Sequence, residues 1–139
     1  MTSIDDQTIE EMLAAARAIR EKAYVPYSGF HVGAALLAGD RVITAVNVEN
    51  ASYPLSVCAE RNAVAKAISE GETSIRAVAV VTDATSTPTP PCGGCRQVLR
   101  EFGEGIAVIA ENADGSQRKY WSVAELLPDS FGPDDLRDP

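Results

Sequence analysis

The three cysteines of this chain fall in two short segments, Cys58-Ala59-Glu60 and Pro91-Cys92-Gly93-Gly94-Cys95. Each segment opens a stretch with helical periodicity, so both cysteine groups stand at helix starts. Three thiolates can fill three corners of a zinc tetrahedron and leave the fourth for water, which is the arrangement of a catalytic zinc site. Glu60, a carboxylate near the first cysteine and not itself a ligand, is suited to move the protons such a water must lose. A chain that builds this centre has to fold so that two helix starts meet.

Helix starts favour thiolates, because unpaired N–H groups and the positive end of the macrodipole face the sulfur. Three thiolates also leave the metal rich in negative charge, which opposes ionisation of the water. Arg61, next to Glu60, can offset part of that charge by hydrogen bonding to ligand sulfurs. Each element has an ordinary reading as well. Cys92-x-x-Cys95 alone fits a redox pair or half of a structural zinc site. A structural site needs a fourth protein ligand, and the single histidine, His31, lies in an expected strand between Phe30 and Val32. Glu60 alone would be a solvated helix carboxylate. The joint occurrence in this order favours the catalytic arrangement.

The rest of the chain reads as alternating helices and strands. Residues 5–22 carry Ile9, Met12, Leu13, Ala16 and Ile19 at helical spacing, with Ser3 or Asp5 as the cap. Pro26-Tyr27-Ser28-Gly29 breaks the pattern. Residues 30–38 and 41–48 are expected strands around a Gly39-Asp40 turn. A helix is expected over 58–70, ended by Gly71, then a β-branched strand over 77–82 and a Thr- and Pro-rich loop over 83–91. Another helix over 92–102, a strand over 106–110, a turn at Asn112-Ala113-Asp114-Gly115 and a short helix capped by Ser122 complete the reading. No repeat or linker divides the 139 residues, so a single domain of the α/β class is expected.

The bulk properties narrow the partners. A formal charge of −8 argues against gripping a phosphate backbone, so no nucleic acid partner is expected. The apolar runs are too short to span a bilayer, and the first residues lack the basic start and apolar stretch of a signal peptide. An odd cysteine count without that signal argues against a disulfide framework. A cytoplasmic protein with no membrane partner is the expectation.

The motif of Cys-x-Glu followed by Pro-Cys-x-x-Cys is that of zinc-dependent nucleobase deaminases. Beyond it the sequence resembles the small, tetrameric type of cytidine deaminase almost end to end. The matching segments are Ala23-Tyr24-Val25-Pro26-Tyr27-Ser28, Phe30-His31-Val32-Gly33-Ala34-Ala35-Leu36, Asn47-Val48-Glu49-Asn50-Ala51-Ser52-Tyr53, Cys58-Ala59-Glu60-Arg61, Pro91-Cys92-Gly93-Gly94-Cys95-Arg96-Gln97 and Leu126-Leu127-Pro128-Asp129-Ser130-Phe131. The zinc motif belongs to the whole superfamily, whereas the Asn-x-Glu-Asn and Leu-Leu-Pro-Asp-x-Phe segments are narrower and favour free nucleosides.

The resemblance implies a three-layer α-β-α fold with a mixed sheet, and a homotetramer with composite active sites. It implies one zinc per subunit on Cys58, Cys92 and Cys95, with Glu60 as proton shuttle. Asn47 and Glu49 resemble the pair that hydrogen-bonds the ribose 3′-hydroxyl, Phe30 packs near the base, and Ala59 offers a main-chain contact to the pyrimidine. Tyr53 and Phe131 resemble residues that reach a neighbouring subunit's site. The implied reaction is hydrolytic deamination of cytidine and deoxycytidine to uridine and deoxyuridine, a step of pyrimidine salvage. Two other readings stay open at this point: deamination of another cytosine nucleoside, such as a nucleoside antibiotic, and a non-catalytic zinc module used for assembly. The Asn-x-Glu pair tells against the first, and Glu60 is superfluous in the second.

Overall fold

A computed structural model describes residues 4–137. Among these the chain forms α1 (Asp6–Arg20), β1 (Val32–Ala38), β2 (Arg41–Val46), α2 (Ala59–Ser69), β3 (Ile75–Thr82), α3 (Gly93–Arg100), β4 (Ala107–Glu111), β5 (Arg118–Ser122), α4 (Val123–Leu126) and α5 (Pro133–Arg137). A 3₁₀ turn at Tyr53–Leu55 precedes α2. Asp5 caps α1 by accepting the Thr8 N–H at 2.7 Å, and Ser3, the other candidate cap, lies outside the described residues. No helix among the described residues is long and apolar enough to cross a membrane.

The five strands make one mixed sheet in the order β2-β1-β3-β4-β5. β1 pairs antiparallel with β2 and β3, β3 pairs parallel with β4, and β4 pairs antiparallel with β5. The β1–β2 hairpin turns on Gly39, whose φ of +59° is a conformation that glycine adopts without steric cost. The parallel pair requires a crossover, and the loop after β3 together with α3 supplies it.

Alternation along the strands separates two cores. Ala34, Leu36, Ala38, Val78, Val80 and Val108 pack with Ala59, Ala63, Val64 and Ala67 of α2 and Leu99 of α3. Ala35, Leu37, Ala77, Ala79, Val81 and Ile109 pack with Met12, Leu13 and Ala16 of α1. The sheet therefore lies between α1 on one face and α2 with α3 on the other, the expected three-layer α-β-α arrangement. Small residues on the α1 face let that helix approach closely. At Gly33 the approach is closest, since a β-carbon there would lie 2.0 Å from the Ala16 carbonyl oxygen.

Several details differ from the sequence reading, among them β2, which ends at Val46 and not at residue 48, and β3, which begins at Ile75 and not at residue 77. β1 begins at Val32, not at residue 30, because side chains and not a ladder partner bind the preceding backbone. Asn47 Nδ2 donates to the Phe30 carbonyl at 2.9 Å, and Asp83 Oδ2 accepts the His31 N–H at 2.7 Å. His31 consequently stands just before the strand. β5 was not expected at all, since Arg118, Lys119 and Tyr120 lack a clean apolar alternation. The five-residue α5, with no buried residue, also went unread. At Ser122 the reading and the structure agree: its hydroxyl accepts the Glu125 N–H, and Glu125 returns a bond to the Ser122 N–H.

Candidate metal and active site

The site lies at one end of the sheet, where β2 and β3 finish and β1 begins. Cys58 is the cap residue of α2 and Cys92 the cap residue of α3. Cys95 lies one turn into α3 and is fully buried. Neither cap uses its side chain to bond its own helix, so the sulfurs of Cys58 and Cys92 are free to turn towards each other. Their Sγ atoms stand 3.7 Å apart, and all three sulfurs lie within 4.8 Å of one another. Tetrahedral zinc with Zn–S bonds of about 2.3 Å places its sulfurs roughly 3.8 Å apart. The soft donors and their spacing therefore fit zinc.

The Cys58 and Cys95 thiols are pushed in opposite directions. The neighbouring Cys95 and Cys92 thiols and the charge of Arg61 lower the Cys58 thiol to about 6 against the effect of burial. The Cys58 sulfur, together with burial and the nearby Glu60, pushes the Cys95 thiol up. Metal binding would release the thiol protons.

Glu60, in the first turn of α2, is 5% exposed. Burial pushes its carboxyl up to about 7; its own backbone N–H pulls the other way and the Cys58 thiolate adds to the rise. It lines a cavity of about 300 Å³ together with Cys58, Ala59, Cys92, Ser28, Phe30, Val32, Asn47 and Glu49. Val80, Thr82, Thr89 and Pro90 complete the wall. The arrangement is a small pocket that brings cysteines and a buried carboxyl together with an amide, a hydroxyl and a second carboxylate, the general form of a small-molecule catalytic site.

Asn47 and Glu49 carry structural bonds as well as facing the cavity. Asn47 Oδ1 accepts the Val32 N–H at 2.9 Å while Nδ2 donates to Phe30. One Nδ2 hydrogen and one Oδ1 lone pair remain for a ligand. Glu49 accepts from the Tyr27 and Ser28 backbone N–H groups, each at 3.1 Å, and from the Ser28 hydroxyl.

Four of the residues singled out in the sequence are not on the wall of this cavity: the buried Cys95, and Tyr53, Phe131 and Arg61. Tyr53 is 69% exposed, stacks at a tilt on Tyr27 with ring centroids 5.8 Å apart, and faces an adjoining hollow. Phe131 is 58% exposed, and its carbonyl accepts from Gln97 Nε2 at 2.9 Å. Arg61 is exposed on the side of α2 that faces Gln97, Val98 and Phe102. Among the described residues no hydrogen bond joins it to a cysteine sulfur, and its influence on Cys58 is through charge. Conversely, the sequence reading did not single out Ser28, Thr82 or Thr89. Of these only Thr82 carried a signal, as a polar residue ending a buried β-branched run.

Comparison with known proteins agrees with this geometry. Residues 6–111 match the family model described as the cytidine and deoxycytidylate deaminase zinc-binding region. The chain is 48% identical over 130 residues to a cytidine deaminase of Sporosarcina psychrophila, covering 92% of this chain and 94% of that one. It is 51% identical over 121 residues to a cytidine deaminase of Halalkalibacterium halodurans, covering 86% and 90%. The crystal structure of cytidine deaminase from Burkholderia pseudomallei superposes with a TM-score of 0.83 at 45% identity, over 88% of this chain and 98% of that one.

Proposed function

The chain belongs to the cytidine and deoxycytidylate deaminase family, and from that membership we propose that it hydrolyses the exocyclic amino group of cytidine and deoxycytidine, yielding uridine or deoxyuridine and ammonia. The observation that carries this is the buried Glu60 lining the same 300 Å³ cavity as Cys58, Cys92, Asn47 and Glu49.

Cys58, Cys92 and Cys95 would hold the zinc, which would supply Lewis-acid activation of a water. Glu60 accepts one proton from the water that attacks C4 and delivers it to N3 of the ring. It then takes the remaining proton from the new C4 hydroxyl and passes it to the amino nitrogen, so that C4=O forms as the C4–N bond breaks and ammonia leaves. Burial keeps Glu60 out of exchange with bulk water, so protons pass between it and the bound base. The Ala59 main chain and Phe30 hold the pyrimidine, and Asn47 with Glu49 takes the ribose 3′-hydroxyl. What supports this division is their shared cavity wall and the remaining hydrogen-bonding capacity of Asn47.

The active form is a homotetramer acting as a pyrimidine salvage enzyme in the cytoplasm, each chain contributing one catalytic domain. Support for assembly comes from Tyr53 and Phe131, large side chains left exposed and outside the cavity of their own chain. Support for the compartment is chemical: three cysteines required as thiolates suit a reducing milieu. A steady-state panel on zinc-loaded protein tests the function. Cytidine and deoxycytidine should lose their characteristic ultraviolet absorbance with release of ammonia. No turnover of either would overturn the proposal, and faster turnover of another cytosine nucleoside would reassign the substrate.

A further inference from the structure

A single hydroxyl links two of the residues that line the cavity, Phe30 and Glu49. Ser28 Oγ accepts the Phe30 backbone N–H at 3.0 Å and donates to Glu49 Oε2. A hydroxyl has one proton, so donating it to Glu49 and accepting from Phe30 fixes the direction of both bonds. The segment that carries Ser28 is itself held: Gly29 N–H donates to the Val25 carbonyl at 2.9 Å, with Gly29 at φ +68°. Its backbone turns the Tyr27 and Ser28 N–H groups onto Glu49 Oε1. The Ser28 hydroxyl, followed by these backbone donors, keeps the Glu49 carboxyl below its ordinary range against slight desolvation. Glu49 is thus an ionised, acceptor-only group on the cavity wall, and its hydrogen-bond donors among the described residues come from one turn.

We propose that Ser28 is a positioning residue that aims Glu49 and Phe30 as one unit, and so makes the site select ligands that present a sugar hydroxyl donor to Glu49. This rests on the reading that Glu49 takes the ribose 3′-hydroxyl. Because Ser28 is exposed, its substitution leaves both cores intact. Losing a hydrogen bond to a charged group that aligns a ligand contact corresponds to about a tenfold loss.

The experiment measures kcat/KM for cytidine and for 3′-deoxycytidine with zinc-loaded wild type, Ser28→Ala, Ser28→Thr and Glu49→Gln. The expected result is a cytidine to 3′-deoxycytidine ratio about tenfold lower in Ser28→Ala, largely through KM, and mostly restored in Ser28→Thr. Glu49→Gln should lower the ratio at least as far. If Glu49→Gln collapses the ratio while Ser28→Ala keeps it, or harms both substrates equally, the role of Ser28 is overturned and the ribose reading stands. If Glu49→Gln leaves the ratio intact, the ribose reading fails and this inference with it.

Discussion

Cys58 Sγ and Cys92 Sγ stand 3.7 Å apart although 34 positions separate them in the chain. Each is the residue that precedes the first turn of a helix, α2 or α3. Both helices pack on the same face of the sheet, so the fold meets the demand that the cysteine pattern makes on it. Two helix starts converge at the strand ends, and the three sulfurs lie close enough together to hold one metal ion.

Zinc should be present at one per chain, with three sulfur ligands by X-ray absorption. Cys95→Ala leaves two sulfurs where three met, and its zinc content should fall to a small fraction of one. Because the metal binds only the folded chain, chelation should lower Tm by on the order of 10 °C. Four sulfur ligands, or full activity in metal-free protein, would contradict the assignment.

Arg61 carries a charge that helps to lower the Cys58 thiol while making no hydrogen bond to it. Arg61→Ala should therefore reduce turnover or zinc retention by several-fold, with a smaller change in nucleoside binding. A change confined to substrate affinity would show that Arg61 belongs to the binding surface instead.

Asp83 links the end of β3 to the residue before β1. Burial tends to raise its carboxyl, but the His31 backbone N–H, the His31 ring and Arg20 outweigh it and hold it below its ordinary value of 3.8. A carboxyl depressed in the folded state contributes stability above its unfolded pKa and loses it as pH falls through the folded value. Wild type should therefore be more stable than Asp83→Asn at neutral pH, with the gap closing below about pH 4. Thermal melts of both proteins from pH 7 to pH 2 check this; a gap independent of pH would show that the charge contributes nothing.

Much of this was legible in the residues themselves. The apolar spacing of α1, the Gly39 turn and the cysteines ahead of two helical patterns are local signals with a physical cause. What escaped depends on partners distant in sequence. β5 is an edge strand whose Arg118 answers Glu111 and Glu10, and no periodicity in its own residues announces it. Ser28 and Asp83 are loop residues whose roles come from Glu49 and His31, 21 and 52 positions away. The roles proposed for Tyr53 and Phe131, both exposed, depend on a second chain.

Phe131 carries the assembly prediction. In a tetramer with shared sites, Phe131→Ala should weaken nucleoside affinity by roughly tenfold without removing zinc, since its ring is far from satisfied within its own chain. Subunits inactivated at Glu60 and subunits impaired at Phe131, mixed and exchanged, should regain part of the lost activity. A fully active monomer in sedimentation, or exchange-verified mixtures that never recover, would reject shared sites.

In the proposed reaction Glu60 carries the protons beside a three-sulfur metal centre. Glu60→Gln keeps the shape of the side chain and the three cysteines but removes the exchangeable proton. Single-turnover and steady-state rates on cytidine, measured on protein of verified zinc content, test it most directly. Full zinc occupancy with a rate lower by about 10²–10⁴-fold or more is the predicted result. Near-normal turnover in the zinc-replete variant would contradict the account.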